Sequence, residues 1–324
     1  MTNENMQLDI GRMVTMLKTR KQIDQHTVLV LGSRASNLFH SNELYETMKL
    51  FVGEPSFTHL SNLERFAECY RLLIKATSGF SKDDIGAILS QSLKHMDFTD
   101  ADVCLAELVK SGVFDIILTC TMDNTLEQAL EYVGLRELHD FEVFSLHSGI
   151  TKEELRFGNK VSCHIIKIFG ELTSRDYRMQ RAGYLIQNQD IRQHLESFSA
   201  RDLMIIGLDP VWDAEIYTIF PPKGGSLWFV NEEQLKEGSN LFHAGEDRNP
   251  IRLWGDTCEY RRFMSNLHER YFGIETDEFS TSDQARSNSV FRVLRRLSKD
   301  IRKLQEEVHY CHDLLLSISN QKQG

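Results

Sequence analysis

The feature that most constrains this chain is a set of short apolar runs in which nothing alternates. Thr27 to Leu31 reads TVLVL, and related runs stand at Phe114–Thr121 (FDIILTCT), Val161–Gly170 (VSCHIIKIFG), Asp202–Asp209 (DLMIIGLD) and Ser226–Asn231 (SLWFVN). A strand with one face in water alternates apolar and polar residues. A solid apolar run is a strand covered on both faces. A shorter run, IRLWGD at Ile251–Asp256, also reads as a strand. Between the runs apolar residues recur at helical spacing, in residues 7–22, ADVCLAELVKSG, NTLEQALEYVG, DIRQHLESFSA and CEYRRFMSNLHERYFG. Three of these segments stop at Gly112, Gly134 and Gly273, as helices often do. Covered strands alternating with helices predict an α/β fold with a Rossmann-like parallel sheet. Ligands in such sheets bind beyond the carboxyl ends of the strands. The loops of interest are therefore those after Leu31, Leu118, Ile168 and Ile206.

The rest of the chain divides by pattern. Residues 1–273 form the sheet domain, with a helical insertion at about 42–110. A polar linker is expected at 274–289. Beyond it Leu294, Ile301, Val308 and Leu315 recur every seven residues, as do Leu297, Leu304, Cys311 and Ile318. Two apolar positions per heptad predict a C-terminal coiled-coil helix at 290–319, or a helix docked on its own domain. Either a homo-oligomer or a partner protein fits such a segment.

Composition removes several classes. A formal net charge of -10 is a poor basis for binding nucleic acid, which is not indicated. The six cysteines make no C-x-x-C pair, so no metal site is expected. The first residues lack the basic start and apolar block of a signal peptide, and no apolar run approaches the ~20 residues of a membrane helix. The expected location is cytoplasmic, away from membranes.

Five stretches sit where a crevice is expected. In GSRAS, Gly32 lets the backbone turn, while Ser33 and Ser36 offer hydroxyls. An ordinary strand-to-helix turn explains the same residues. In TCTMDNTLE, Thr119, Thr121 and Asp123 end a strand and start a helix. Asp123 or Asn124 there is either an N-cap or part of the crevice. KIFGEL holds Phe169 before a glycine. GLDPVWD places Gly207 where a backbone can approach a ligand. GDTCEYRRFMSNL closes the series with a turn and a capping helix.

In order and spacing these five stretches, over roughly residues 10–272, resemble the sirtuin-like domain of prokaryotic antiviral defence systems. That family runs from G-A-G-x-S through T-T-N-Y-D-x-x-L-E, K-x-H-G-x and a G-Y-S-x-x-D-like turn to a G-D…F…L helix. The resemblance implies a Rossmann-like fold with a helical insertion, NAD or an ADP-ribose-like nucleotide as ligand, and no zinc. It implies a cofactor site at Gly32, Ser33, Arg34, Ser36, Thr119, Thr121, Asp123, Phe169 and Gly207. It also implies partners such as a defence NTPase, a nuclease or an Argonaute-like protein, supplied in trans.

The departures from the family pattern fall on its chemistry. Family members release nicotinamide from ribose, using an asparagine to place ribose and water and a histidine that accepts a proton. Thr121 holds the asparagine position and Phe169 the histidine position. Phenylalanine moves no proton. His164 lies five residues before Phe169, on the opposite face if the strand alternates throughout. His147 is either a surface histidine or one that swings inward. Ser33 and Arg34 replace alanine and glycine, and Arg34 either crowds the turn, grips a phosphate or fills a vacated pocket. Four readings follow. The preferred one is a degenerate sirtuin-like scaffold or nucleotide sensor in a defence assembly. The alternative is an active or partner-activated NAD hydrolase, with Asp123 as its catalytic residue. A deacylase and a Rossmann-like protein unrelated to NAD complete the set.

Overall fold

The computed structural model describes residues 3–36, 87, 97–146, 157, 160–172, 176–177 and 184–274. The chain divides into two units, Met1–Gly273 and Ile274–Gly324. The elements named here lie in the first unit.

Helix α1 (Asn3–Gln22) leads into β1 (Thr27–Leu31), which ends in a short 3-10 turn at Ser33–Ala35. After α2 (Asp100–Lys110) come β2 (Phe114–Thr119), α3 (Thr125–Tyr132), β3 (Phe141–Ser145) and β4 (Cys163–Lys167). The two-residue strands β5 (Gly170–Glu171) and β6 (Asp176–Tyr177) pair with each other. Then follow α4 (Tyr184–Gln187), α5 (Gln189–Ser199), β7 (Leu203–Ile206), a 3-10 turn at Ala214–Ile219 and β8 (Leu227–Asn231). Helix α6 (Asn240–His243), β9 (Ile251–Trp254) and α7 (Tyr260–Phe272) complete the unit.

Among the described residues seven strands form one sheet in the order β3-β4-β2-β1-β7-β8-β9, and every neighbouring pair is parallel. Side chains alternate between its faces. Leu29, Leu31, Ile117, Ile165, Met204 and Ile206 enter one apolar layer with α1, α2, α3 and α7. Val28, Val30, Leu118, Ile166, Ile205 and Phe229 enter the other with α4, α5, α6 and the second 3-10 turn. Each such side chain contributes about 1.5–3 kcal/mol when fully buried. Both faces are thus covered, which is why the strands read as solid apolar runs. Helix α2 starts with a capping box in which Thr99 and Asp102 bond each other's backbone. The Tyr260 hydroxyl donates to Asp102 Oδ1 at 2.9 Å and so ties the start of α7 to α2.

The expected parallel α/β sheet is present, with local differences. Strand β3 is not among the expected runs. It is an edge strand of FEVFS in which only Phe141 is fully buried, so it lacks the solid pattern. Strand β4 stops at Lys167 instead of running to Gly170, because Gly170 takes a left-handed φ of 81° and turns the chain. Helix α1 begins at Asn3, four residues earlier than its apolar spacing suggests. The expected helices between residues 42 and 96, His147, the linker beyond Ile274 and the heptads at 290–319 lie outside the described residues.

Candidate functional site

The strand order places the site. From β1 the chain moves in one direction to β2, on to the edge strand β3, and back to β4 between them. It winds in the other through β7, β8 and β9. The switch point is therefore between β1 and β7, where the loops after them diverge in an open α/β sheet and leave a ligand crevice. Gly32 follows β1 and Gly207 follows β7.

These two loops are zipped together, backbone to backbone. The Gly32 N–H donates to Ile206 O at 2.8 Å and the Arg34 N–H to Gly207 O at 2.9 Å. A Cβ on Gly32 would lie 2.2 Å from Gly207 O and 2.5 Å from Leu208 Cα. Gly207 has a φ of 70°, the left-handed region that favours glycine. Gly32 is required here because a neighbouring carbonyl occupies the space that a side chain would take.

Side chains complete the closure. Asp213, wholly buried, accepts from the Ser33 N–H at 2.7 Å, the Ser33 hydroxyl at 2.6 Å and the Asp209 N–H at 2.9 Å. Arg34 donates from Nε to Asp209 Oδ2 at 3.2 Å and from a terminal nitrogen to Glu233 Oε2 at 3.1 Å. Burial opposes its charge, but Asp209 and Glu233 outweigh that and hold its pKa above the ordinary guanidinium value. Asp209 Oδ1 accepts from the Val211 and Trp212 amides, at 3.0 and 2.7 Å. The Asn231 amide brackets Leu208, accepting from its N–H at 3.0 Å and donating to its carbonyl at 3.2 Å. In this arrangement Arg34 is paired with two carboxylates, Asp209 and Glu233.

The other half of the site lies at the ends of β2 and β4. The hydroxyls of Thr119 and Thr121 bond each other at 2.8 Å. Asp123, also buried, accepts from the Thr125 N–H at 3.1 Å and the Thr125 hydroxyl at 2.5 Å. Its other oxygen accepts a short bond from the Ser36 hydroxyl, which joins the two halves. Asn124 is the N-cap of α3 and makes no side-chain cap bond, so the capping work falls to Asp123. Lys167 is buried at the end of β4. It meets Glu127 Oε1 at 2.5 Å, Glu171 Oε1 at 3.2 Å and the Asp123 carbonyl at 2.7 Å. Burial opposes the Lys167 charge, but Glu127 and Glu171 more than offset it and raise the pKa.

Phe169 is wholly buried in the second apolar layer, with its ring 6.3 Å from that of Tyr184. His164 does not lie on the face opposite Phe169. Its ring stacks at 3.8 Å on Phe157, which packs against the layer that holds Phe169. Alternation cannot be counted past Lys167, where the strand ends. His164 nevertheless sits near the start of β4, away from the crevice. Burial lowers its pKa, against the opposing pull of Glu142 and Asp115.

The structure thus gathers Gly32, Ser33, Arg34 and Gly207 at one point and Ser36, Thr119, Thr121 and Asp123 beside it. It sends Phe169 into the core. Sequence reasoning missed Asp213, Glu233, Asn231 and Lys167. The signal for Lys167 was a charge inside a solid apolar run. The others come from loops with no spacing rule to mark them.

A diphosphate is normally held by the backbone amides of the turn after the first strand. Here the amides of residues 32–36 all donate within the protein. Gly32, Arg34, Ala35 and Ser36 bond backbone carbonyls, and Ser33 bonds Asp213. As arranged, this turn does not fit the diphosphate of NAD, which would have to displace a carboxylate. Among the described residues no group of three or more His, Cys, Asp or Glu is placed to hold a metal ion. No helix among them is long and apolar enough to cross a membrane.

Fold and site together define an α/β protein with a doubly wound parallel sheet, in which the loops after β1 and β7 are bonded to each other. No protein-family model matches the sequence. No curated protein matches it either. A solved structure described as "Structural Basis for the Mechanism and Regulation of Sir2 Enzymes" is similar, with a TM-score of 0.38 and 15% identity. The match covers 82% of this chain and 98% of that one. A likeness this distant adds nothing to the geometry above.

Proposed function

We propose that this protein is a scaffold built on a sirtuin-like sheet whose nucleotide crevice is closed, serving a prokaryotic defence assembly through partners bound by residues 290–319. The observation that carries the closed crevice is the occupied turn: five consecutive amides after β1 are bonded internally, one of them to the Asp213 carboxylate. Both features work against a diphosphate, through lost donors and through like charge. The proton-accepting position is Phe169, in the core. The defence setting and the partner segment come from the sequence resemblance and the heptads.

The test is to incubate the full-length protein with NAD, follow free nicotinamide, and titrate NAD and ADP-ribose by calorimetry. The expected result is neither turnover nor binding. Turnover that disappears in Asp123→Ala would overturn the scaffold in favour of an NAD hydrolase. Binding without turnover would replace it by a sensor in which the nucleotide displaces Asp213. Light scattering on the full chain against a chain ending at Gly273 checks the partner segment. A lower subunit number in the shorter chain is expected if residues 290–319 join copies of the protein.

A further inference from the structure

The geometry points to a second property of the closed turn: we propose that Asp213 is a tethered anion seated in an oxyanion cradle, and that the cradle binds a free small carboxylate once the tether is removed. The cradle is built from donors the fold holds in place without the help of Asp213. Asp213 Oδ2 takes two backbone amides, from Ser33 at 2.7 Å and Asp209 at 2.9 Å. Oδ1 takes the Ser33 hydroxyl at 2.6 Å. The Ser33 turn is fixed to β7 by the Arg34-to-Gly207 bond, and the loop before Asp209 by the Asn231 amide. Asp213 has its own backbone anchors: its N–H donates to Asp209 O at 2.9 Å and its carbonyl accepts from Ile216 at 3.0 Å. Truncating the side chain therefore leaves the main chain and the three donors in position.

The chemistry of the cradle selects its occupant. Two amides on one oxygen and a hydroxyl on the other match a planar carboxylate, and bonds to an ionised acceptor are about twice as strong as neutral ones. Asp213 and Ser33 are both wholly buried, so emptying the cradle removes the acceptor that the Ser33 and Asp209 amides share. Asp213→Gly removes a carboxymethyl group, whose shape and charge are those of acetate. Asp213→Ala keeps the Cβ and leaves room for formate. The closure of the crevice is thus independent of any ligand, because the chain carries the ligand's anionic group on its own loop.

The experiment is thermal unfolding of the full-length variants in sodium acetate, formate or chloride at equal ionic strength, with acetamide as the neutral isostere. Asp213→Gly is expected to lower the Tm by roughly 5–10 °C. Acetate should restore at least half of that loss, saturably, and chloride and acetamide should not. Asp213→Ala should prefer formate to acetate, and the unaltered protein should respond to neither. An acetate response in Asp213→Gly no larger than that of chloride or acetamide overturns the proposal. So does an equal response in the unaltered protein. Should Asp213→Gly fail to fold, its refolding yield from denaturant in acetate against chloride decides the same question: a higher yield in acetate supports the cradle, and equal yields overturn it. The proposal does not rest on the scaffold reading. NAD turnover by the unaltered protein would sink that reading and leave the acetate response intact.

Discussion

The two halves of the crevice are closed by different means. Between β1 and β7 the closure is mostly backbone against backbone, with Gly32 pressed on the Gly207 carbonyl and four of the five turn amides committed to main-chain oxygens, the fifth to Asp213. Between β2 and β4 it is a set of side chains around one buried cation, Lys167, with Glu127 and Glu171. The first kind of closure is written into the path of the chain and tolerates no added atom. The second is electrostatic and depends on every partner being present. The first half is thus held by shape, and the second by polar pairing.

Four changes test that contrast. The largest effect is expected from Lys167→Met, which leaves Glu127 and Glu171 at a buried site without their cation. A loss of about 3–5 kcal/mol follows from breaking a buried ion pair on one side, measured by chemical denaturation. An additional Glu127→Gln should recover part of it. Gly32→Ala comes next. Its Cβ meets backbone, so the two loops must part, at about 2–3 kcal/mol. If Gly32→Ala is as stable as the unaltered protein, the backbone closure is wrong.

Acid should act more mildly. The pKa of His164 is lowered on folding, so the unfolded chain takes up its proton first and stability falls as pH drops below the ordinary imidazole value of 6.5. Above that value the contribution is fully present. His164→Gln should flatten this part of the stability-against-pH curve, and an unchanged slope would remove His164 from the account. The smallest effect belongs to Glu233→Gln. Its side chain is 69% exposed, and losing its pair with Arg34 should cost no more than about 1 kcal/mol. A larger loss would mean that the polar rim, rather than the backbone zip, keeps the first half shut.

The sheet was legible because covering both faces of a strand removes polar residues from it. Thr27–Leu31, Leu203–Ile206 and Leu227–Asn231 announce themselves for that reason. Strand β3 did not, since an edge strand keeps Glu142 and Ser145 among its apolar residues. At the site, Gly32 and Gly207 stood out as glycines at strand ends. What they do did not, because each is explained by the other, far along the chain. The same holds for Ser33 and Asp213. A turn that binds an outside anion and a turn that binds the chain's own carboxylate have the same local sequence.

That separation has a consequence in time. Asp213 lies 180 residues downstream of Ser33. At ~5–20 residues per second of synthesis, the turn after the first strand waits on the order of 10–40 s for the carboxylate that fills it. The seat and its occupant arrive together, because the Asp209 amide and the Gly207 carbonyl that complete it are made only a few residues ahead of Asp213.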